Sequence, residues 1–138
     1  MRRDDARDTN VLSEARRREG NAGVKAWMAA ADDEALHVSV VTLGEIRKGI
    51  EALRPRDPDT AAVFETWLAT LDAVFSPRIL DVDRRTADHW GRILVACPGL
   101  PVEDALLAAT ACVHGMTLVS RNERHLAPTG VPLVNPWR

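Results

Sequence analysis

The chain has 138 residues, 46% of them hydrophobic, enough to bury an adequate core in what is expected to be a single domain spanning residues 1–138. A formal net charge of −2 argues against a general electrostatic nucleic-acid binder, which usually carries a clearly basic face. Any nucleic-acid contact must therefore be local, or arranged through a metal that reverses the sign of an acidic pocket. No apolar run approaches the roughly 20 residues that span a bilayer, and Met1-Arg2-Arg3-Asp4-Asp5 carries no apolar signal core. The expectation is a cytoplasmic protein without membrane contact.

Taken in chain order, residues 1–7 are polar and receive no element. Arg2-Arg3-Asp4-Asp5-Ala6-Arg7 places charge at alternating and consecutive positions, which argues against a strand buried on both faces. His37–Val41 reads as a short strand. Thr42 then opens a helix to about Leu53, with Leu43, Ile46, Ile50 and Leu53 at helical spacing. Arg54-Pro55-Arg56-Asp57-Pro58 breaks the pattern and reads as a loop between helices.

A second helix is expected from Thr60 to Phe75, its apolar stripe carried by Val63, Trp67, Leu68, Leu71, Val74 and Phe75. Ile79–Val82 resembles a strand, and Thr86–Ala96 a helix that turns Trp90, Ile93 and Leu94 inward. After the break at Pro98-Gly99-Leu100-Pro101 comes an alanine-rich helix from Val102 to His114. Gly115 falls where a left-handed cap residue belongs. Met116–Val119 and Val131–Val134 complete the strands. Trp27, Trp67 and Trp90 occupy apolar helical positions and are assigned to the core. Cys97 and Cys112, on apolar stretches without CxxC spacing, are read as reduced core residues.

Alternating strands and helices predict an α/β fold, a central parallel sheet flanked by helices. Sites in such sheets form beyond the carboxyl ends of the strands. Glu45 follows one strand by a few residues, Asn122 lies just past another, and Asp104 is early in its helix. A shared cleft is geometrically reasonable.

Asp8, Glu45 and Asp104 each stand beside an apolar run expected to pack into a core. Burying unpaired carboxylates is costly, and clustered ones require a counter-charge that a divalent cation supplies most simply. Oxygen ligands suit Mg²⁺ or Mn²⁺, which activate water and screen phosphate charge in an in-line displacement. Each acid also has an ordinary explanation. Thr42-x-x-Glu45 matches a capping box, Asp104 suits the positive end of a helix dipole, and Asp8 suits a cap. Spacing leaves both readings open. His37, His89, His114 and His125 show no metal-ligand spacing, no serine or cysteine has a nucleophile's context, and Arg16-Arg17-Arg18 reads as a solvated helix end.

The segments together carry a resemblance. Asp8-Thr9-Asn10-Val11-Leu12-Ser13-Glu14, then Val41-Thr42-Leu43-Gly44-Glu45-Ile46-Arg47-Lys48-Gly49, then Asp104-Ala105-Leu106-Leu107-Ala108-Ala109-Thr110-Ala111, and then His114 to Asn122 resemble, in this order, the motifs of PIN-domain toxins of the VapC and FitB type. Val134-Asn135-Pro136-Trp137 is similar to the ending of the FitB branch. The resemblance implies a PIN-like α/β domain and a Mg²⁺-dependent (or Mn²⁺-dependent) endoribonuclease, the toxin of a type II toxin–antitoxin system. It implies Asp8, Glu45 and Asp104 as metal ligands, Asn122 as a further site residue, RNA as substrate and a homodimer. A small cognate antitoxin would neutralise the toxin, and operator DNA would be reached only through that antitoxin.

Two positions depart from the pattern. The family often carries a fourth acid where this chain has Asn122 or His125, and an apolar strand where it has Arg2–Arg7. A reduced acid set also fits an alternative, a catalytically weak PIN-like module that sequesters an antitoxin in an operator-bound repressor complex.

Overall fold

The structure, a computed structural model, describes residues 5–7, four positions between 22 and 29, and residues 36–137. Its strands are β1 (Asp5–Arg7), β2 (Leu36–Ser39), β3 (Ile79–Leu80), β4 (Thr117–Val119) and β5 (Leu133–Val134). Its helices are α1 (Val40–Leu53), α2 (Pro58–Phe75), α3 (Arg84–Ala96), α4 (Val102–Val113) and the short α5 (Glu123–Leu126). Among the described residues the strands form a five-stranded sheet in the order β3-β2-β1-β4-β5, with every pairing parallel.

The sheet corrects one expectation. The charged segment before Asp8 is a strand after all, and it lies at the centre of the sheet. Asp5, Ala6 and Arg7 pair with Leu36, His37 and Val38 on one side and with Thr117, Leu118 and Val119 on the other. Side-chain polarity alone does not decide whether a segment joins a sheet. An orphaned backbone N–H or C=O inside a sheet is itself costly, and a central strand satisfies these groups on both sides. Three residues suffice to close the ladder.

Helix starts shift for a common reason, the capping side chain. Ser39 caps α1, its Oγ accepting from Val41 N at 3.0 Å, so the helix begins two residues before Thr42. Asp57 caps α2 through Thr60 N and Thr60 Oγ1, with Pro58 in the first turn, where its missing N–H costs nothing. Asp83 caps α3 in the same way through Thr86. At the far end of α4, Gly115 adopts φ +66°, the left-handed stop that its position predicts. Because Ser39 is buried, Ser39→Ala is expected to cost about 1 kcal/mol, the usual loss for a cap. Urea unfolding of the variant measures it.

Two apolar clusters hold the layers together. One joins β2, α1 and α2 through Leu36, Val38, Ile46, Ile50, Leu68, Leu71 and Phe75. The other joins α3, α4 and β4 through Ile93, Ala105, Leu107, Ala108, Ala109 and Leu118, with Trp90 and both cysteines packed against it. Cys97 and Cys112 are free thiols, as read. Trp67 packs against the first cluster, and Trp27 lies outside the described residues. The stripe on α2 needs correction: Val63 and Val74 are more than half exposed, and Ala61, with Leu68, Leu71 and Phe75, faces the core instead. The true periodicity runs 61, 64, 68, 71, 75, and a four-residue frame starting at 63 follows the neighbouring ridge. Outside the core, Arg47 of α1 and Arg54, which caps its end, both bond Glu65 of α2, holding its carboxyl down at about 2.

Candidate metal centre

The order 3-2-1-4-5 reverses between β1 and β4, and a crevice forms beyond the carboxyl ends of the strands at such a switch point. Arg7 is in register with both Val38 and Val119. The next residues in sequence are Asp8, Ser39 and Ser120. Thus three segments leave the sheet at one level, and each leads to a residue singled out by its chemistry. Asp8 itself lies outside the described residues.

From β4 the chain passes through Ser120, which is fully buried, to Asn122. Asn122 N donates to Ser120 Oγ at 3.0 Å, and Asn122 O accepts from Leu126 N at 3.1 Å, so its backbone is fixed at both ends. Its side chain bridges two others. Nδ2 donates to Asp104 Oδ2 at 2.8 Å, and Oδ1 faces His125 Nδ1 at 2.6 Å. A carboxylate accepts only, so the amide must turn its NH₂ to Asp104 and its oxygen to His125. The imidazole then carries its proton on Nδ1 and donates it to that oxygen.

Asp104 is the third residue of α4, whose N-cap, Pro101, supplies no capping side chain. The Asp104 carboxyl bonds Asn122 rather than a backbone N–H, so its place in the first turn is not spent on a cap. Half-burial pushes its pKa above the ordinary carboxylate value. The Asn122 hydrogen bond pulls the other way, Glu103 raises it further, and His125 lowers it. Partial burial with only a neutral amide for a partner leaves this charge under-compensated.

Glu45 is the sixth residue of α1 and half-buried. With Ser39 as the cap, Thr42 lies inside the first turn and is fully buried, so the capping-box reading of Thr42-x-x-Glu45 fails. Helices α1 and α4 touch, which brings the Glu45 and Asp104 helices to the same part of the sheet. Among the described residues no three histidine, cysteine, aspartate or glutamate side chains form a group able to hold a metal. The structure therefore joins Asp104 to Asn122 and sets Glu45 on a neighbouring helix.

Ser120 escaped the sequence reading, and His125, noted there only as a position where the family often carries an acid, was not expected to bond Asn122. The i to i+3 spacing of Asn122 and His125 and the Ser-x-Asn turn were the available signals, and neither matches a metal-ligand pattern.

A PIN domain profile matches residues 7–130. The chain belongs to the PIN-domain family. Among its relatives, the plasmid stability protein StbB of Pseudomonas syringae pv. tomato is 36% identical, over 94% of this chain and 96% of that one. The VapC ribonuclease Y4jK of Sinorhizobium fredii is 30% identical, over 94% and 95%. Among solved structures, FitAcB from Neisseria gonorrhoeae superposes with a TM-score of 0.89 at 28% identity, covering 97% of this chain and 99% of that chain. Since the profile spans residues 7–130, the family match takes in the end of β1 and the four motif segments from Asp8 to Asn122, and stops before the Val134–Trp137 ending. This PIN domain therefore has the strand order and the Asp104–Asn122 pair on the page, together with relatives that bear the names of a stability protein and a ribonuclease.

Proposed function

We propose that this PIN domain is the toxin of a type II toxin–antitoxin system and acts as a Mg²⁺- or Mn²⁺-dependent endoribonuclease, with residues 1–138 as one domain. The observation that carries the reading is Asp104: a half-buried carboxyl, unspent on capping, at the sheet's switch point and held by a fixed amide. Similarity to a VapC ribonuclease over nearly the whole chain supports the substrate class. The oxygen donors Asp8, Glu45 and Asp104 suit a hard divalent cation, and Asp104, with one oxygen bonded to Asn122, keeps the other for it. When bound, the cation supplies an activated water and screens phosphate charge.

The residues of the chain do the rest. Asn122 holds the Asp104 carboxyl in one rotamer through its NH₂, and His125 fixes the amide that does so. With its oxygen committed to His125, Asn122 acts as a positioning residue and not as a neutral ligand. A small antitoxin partner, a homodimeric toxin and operator DNA reached only through the antitoxin belong to the same proposal, and the likeness to FitAB bound to a DNA fragment supports a complex on DNA. A net charge of −2 suits a domain that does not itself grip DNA. No described helix is long and apolar enough to cross a membrane, in keeping with a cytoplasmic toxin.

Purified protein is expected to cleave single-stranded RNA with Mg²⁺ or Mn²⁺ and to stop when EDTA is added. Asp8→Ala and Glu45→Gln should each lose about 10²–10³-fold in rate, the range for removing an electrostatic stabiliser of the transition state. A folded, metal-supplied protein that leaves RNA intact would overturn the assignment. The second reading, a weak PIN module that sequesters an antitoxin in an operator-bound complex, draws on one observation. Asn122 stands where an acid is common in the family, and its oxygen is occupied. Growth arrest that depends on Asp104 would remove it.

A further inference from the structure

A cavity of about 270 Å³ opens beside the Asp104–Asn122–His125 chain, lined by Cys97, Pro98, Gly99, Leu100, Arg124, His125 and Pro128. Its two walls differ in chemistry. One is the break between α3 and α4, Cys97 to Leu100, which presents carbon and thiol surface, continued by Pro128. The other is α5, which presents Arg124 and His125. Among the described residues Arg124 has no ion-pair partner, so its guanidinium remains uncompensated. His125 belongs to both places: one ring nitrogen is bonded to Asn122, and the same side chain lines the cavity.

We propose that this cavity is a subsite for one nucleotide of a single-stranded RNA, next to the phosphodiester that is cut. Arg124 would take a backbone phosphate, and the Pro98–Leu100 and Pro128 walls would take the base. The inference rests on the ribonuclease reading and deepens it by placing the strand. Three observations carry it. The volume suits one small flat group and excludes a duplex or a helix. A cation for the backbone beside a surface for the base holds a single strand without reading sequence, here with proline and leucine carbon in place of the aromatic platforms such sites commonly use. The His125–Asn122–Asp104 bonds make the cavity continuous with the carboxylate that the cleavage reading needs.

Continuity has a consequence for position. A nucleotide seated against Arg124 would lie one hydrogen-bonded relay, His125 to Asn122, from Asp104, so occupancy of the cavity would set the register of cleavage. His125 takes a positioning part, since it shares the Arg124 wall of the cavity and bonds the amide that holds Asp104.

Two substitutions separate the subsite from the chemistry. A Cβ built at Gly99 meets nothing within 4 Å, so Gly99→Glu is accommodated at its Cβ and puts a carboxylate on the cavity wall, where it opposes a phosphate. Arg124→Ala removes the phosphate contact. The assay is binding of an uncleavable 2′-O-methyl RNA oligonucleotide across a salt series, with cleavage of the matching RNA measured beside it. Both variants should unfold at the wild-type temperature and raise KM about tenfold while kcat changes little. For Arg124→Ala the slope of log K against log salt should fall by about 0.7, the share of one phosphate on a single strand. A merely structural role for Arg124 would not change that slope. Wild-type RNA cleavage with unchanged KM and slope in both variants overturns the subsite and leaves the nuclease standing. Absence of cleavage by the wild type overturns the nuclease reading itself. Variants that handle RNA normally but escape a co-expressed antitoxin would put a protein segment in the cavity, and would overturn the proposal as well.

Discussion

Asp104→Asn is expected to remove RNA cleavage by about 10²–10³-fold or more while making the metal-free protein more stable at neutral pH. The two effects share one cause. Half-burial is the largest influence on this carboxyl and raises its pKa above the ordinary 3.8. A carboxyl whose folded pKa exceeds its unfolded one favours the folded state fully below the unfolded pKa and loses that contribution as the pH rises through the folded pKa. At pH 7 the ionised Asp104 is therefore a net cost to folding, and a neutral amide of the same shape removes it. Thermal unfolding in EDTA from pH 3 to pH 8 is the measurement. The variant should lie above the wild type at pH 7, with the gap closing as acid protonates Asp104. Added Mg²⁺ should narrow the gap at pH 7 from the other side, by stabilising only the wild type. A variant less stable than the wild type at every pH would mean that the carboxylate is structural.

Sequence legibility followed physical range. The four longer helices and the parallel α/β class were readable because apolar periodicity and caps are local, and α1 to α4 each lie within a few residues of the expected span, whereas the short α5 was not expected. Helix starts moved wherever a capping side chain stood outside the apolar pattern, as Ser39 and Asp83 do. The central strand was misread for a non-local reason. Asp5–Arg7 has poor strand composition, and its place is fixed by ladders to Leu36–Val38 and Thr117–Val119, about 30 and 110 residues away in sequence. Val63 and Val74 show the same limit: two adjacent ridges of α2 are both apolar, and only the partner helix selects one.

At the site, Asp104 and Glu45 were legible as acids beside core runs. The structure removes the capping box of Glu45, since Ser39 holds the start of α1, and keeps Asp104 in the first turn of α4, where the dipole favours it, with its carboxyl turned to Asn122. The relay through His125 was not legible. A histidine three residues after an asparagine on a four-residue helix has no distinguishing pattern until the fold puts Asp104 on the other side of that asparagine. Asp8 remains the member of the set whose part rests on its motif and on its place one residue beyond β1.

Asn122→Asp puts the missing acid back and tests the charge balance of the site directly. The new carboxylate would meet Asp104 Oδ2 where an amide nitrogen now stands 2.8 Å away. Two carboxylates at that separation cannot both stay ionised without a cation, so without metal they share a proton or separate. The metal-free variant loses a hydrogen bond to a charged group, about 2 kcal/mol, or roughly 5 °C in unfolding temperature for a chain of this size. His125 offsets part of this, because its Nδ1–H gains a carboxylate in place of an amide oxygen. Divalent cations reverse the order. The added charge should tighten Mn²⁺ or Mg²⁺ about tenfold, worth about 1.4 kcal/mol, so that the variant gains more than the wild type from each increment of metal. Calorimetric titration and unfolding across a Mg²⁺ series measure both halves. If the metal-free loss appears and no cation restores it, Asp104 and its neighbours do not form a cation site. If the restoration appears with faster cleavage, the wild-type asparagine sets metal affinity below what the fold can reach, and it does so through the same amide that aligns Asp104.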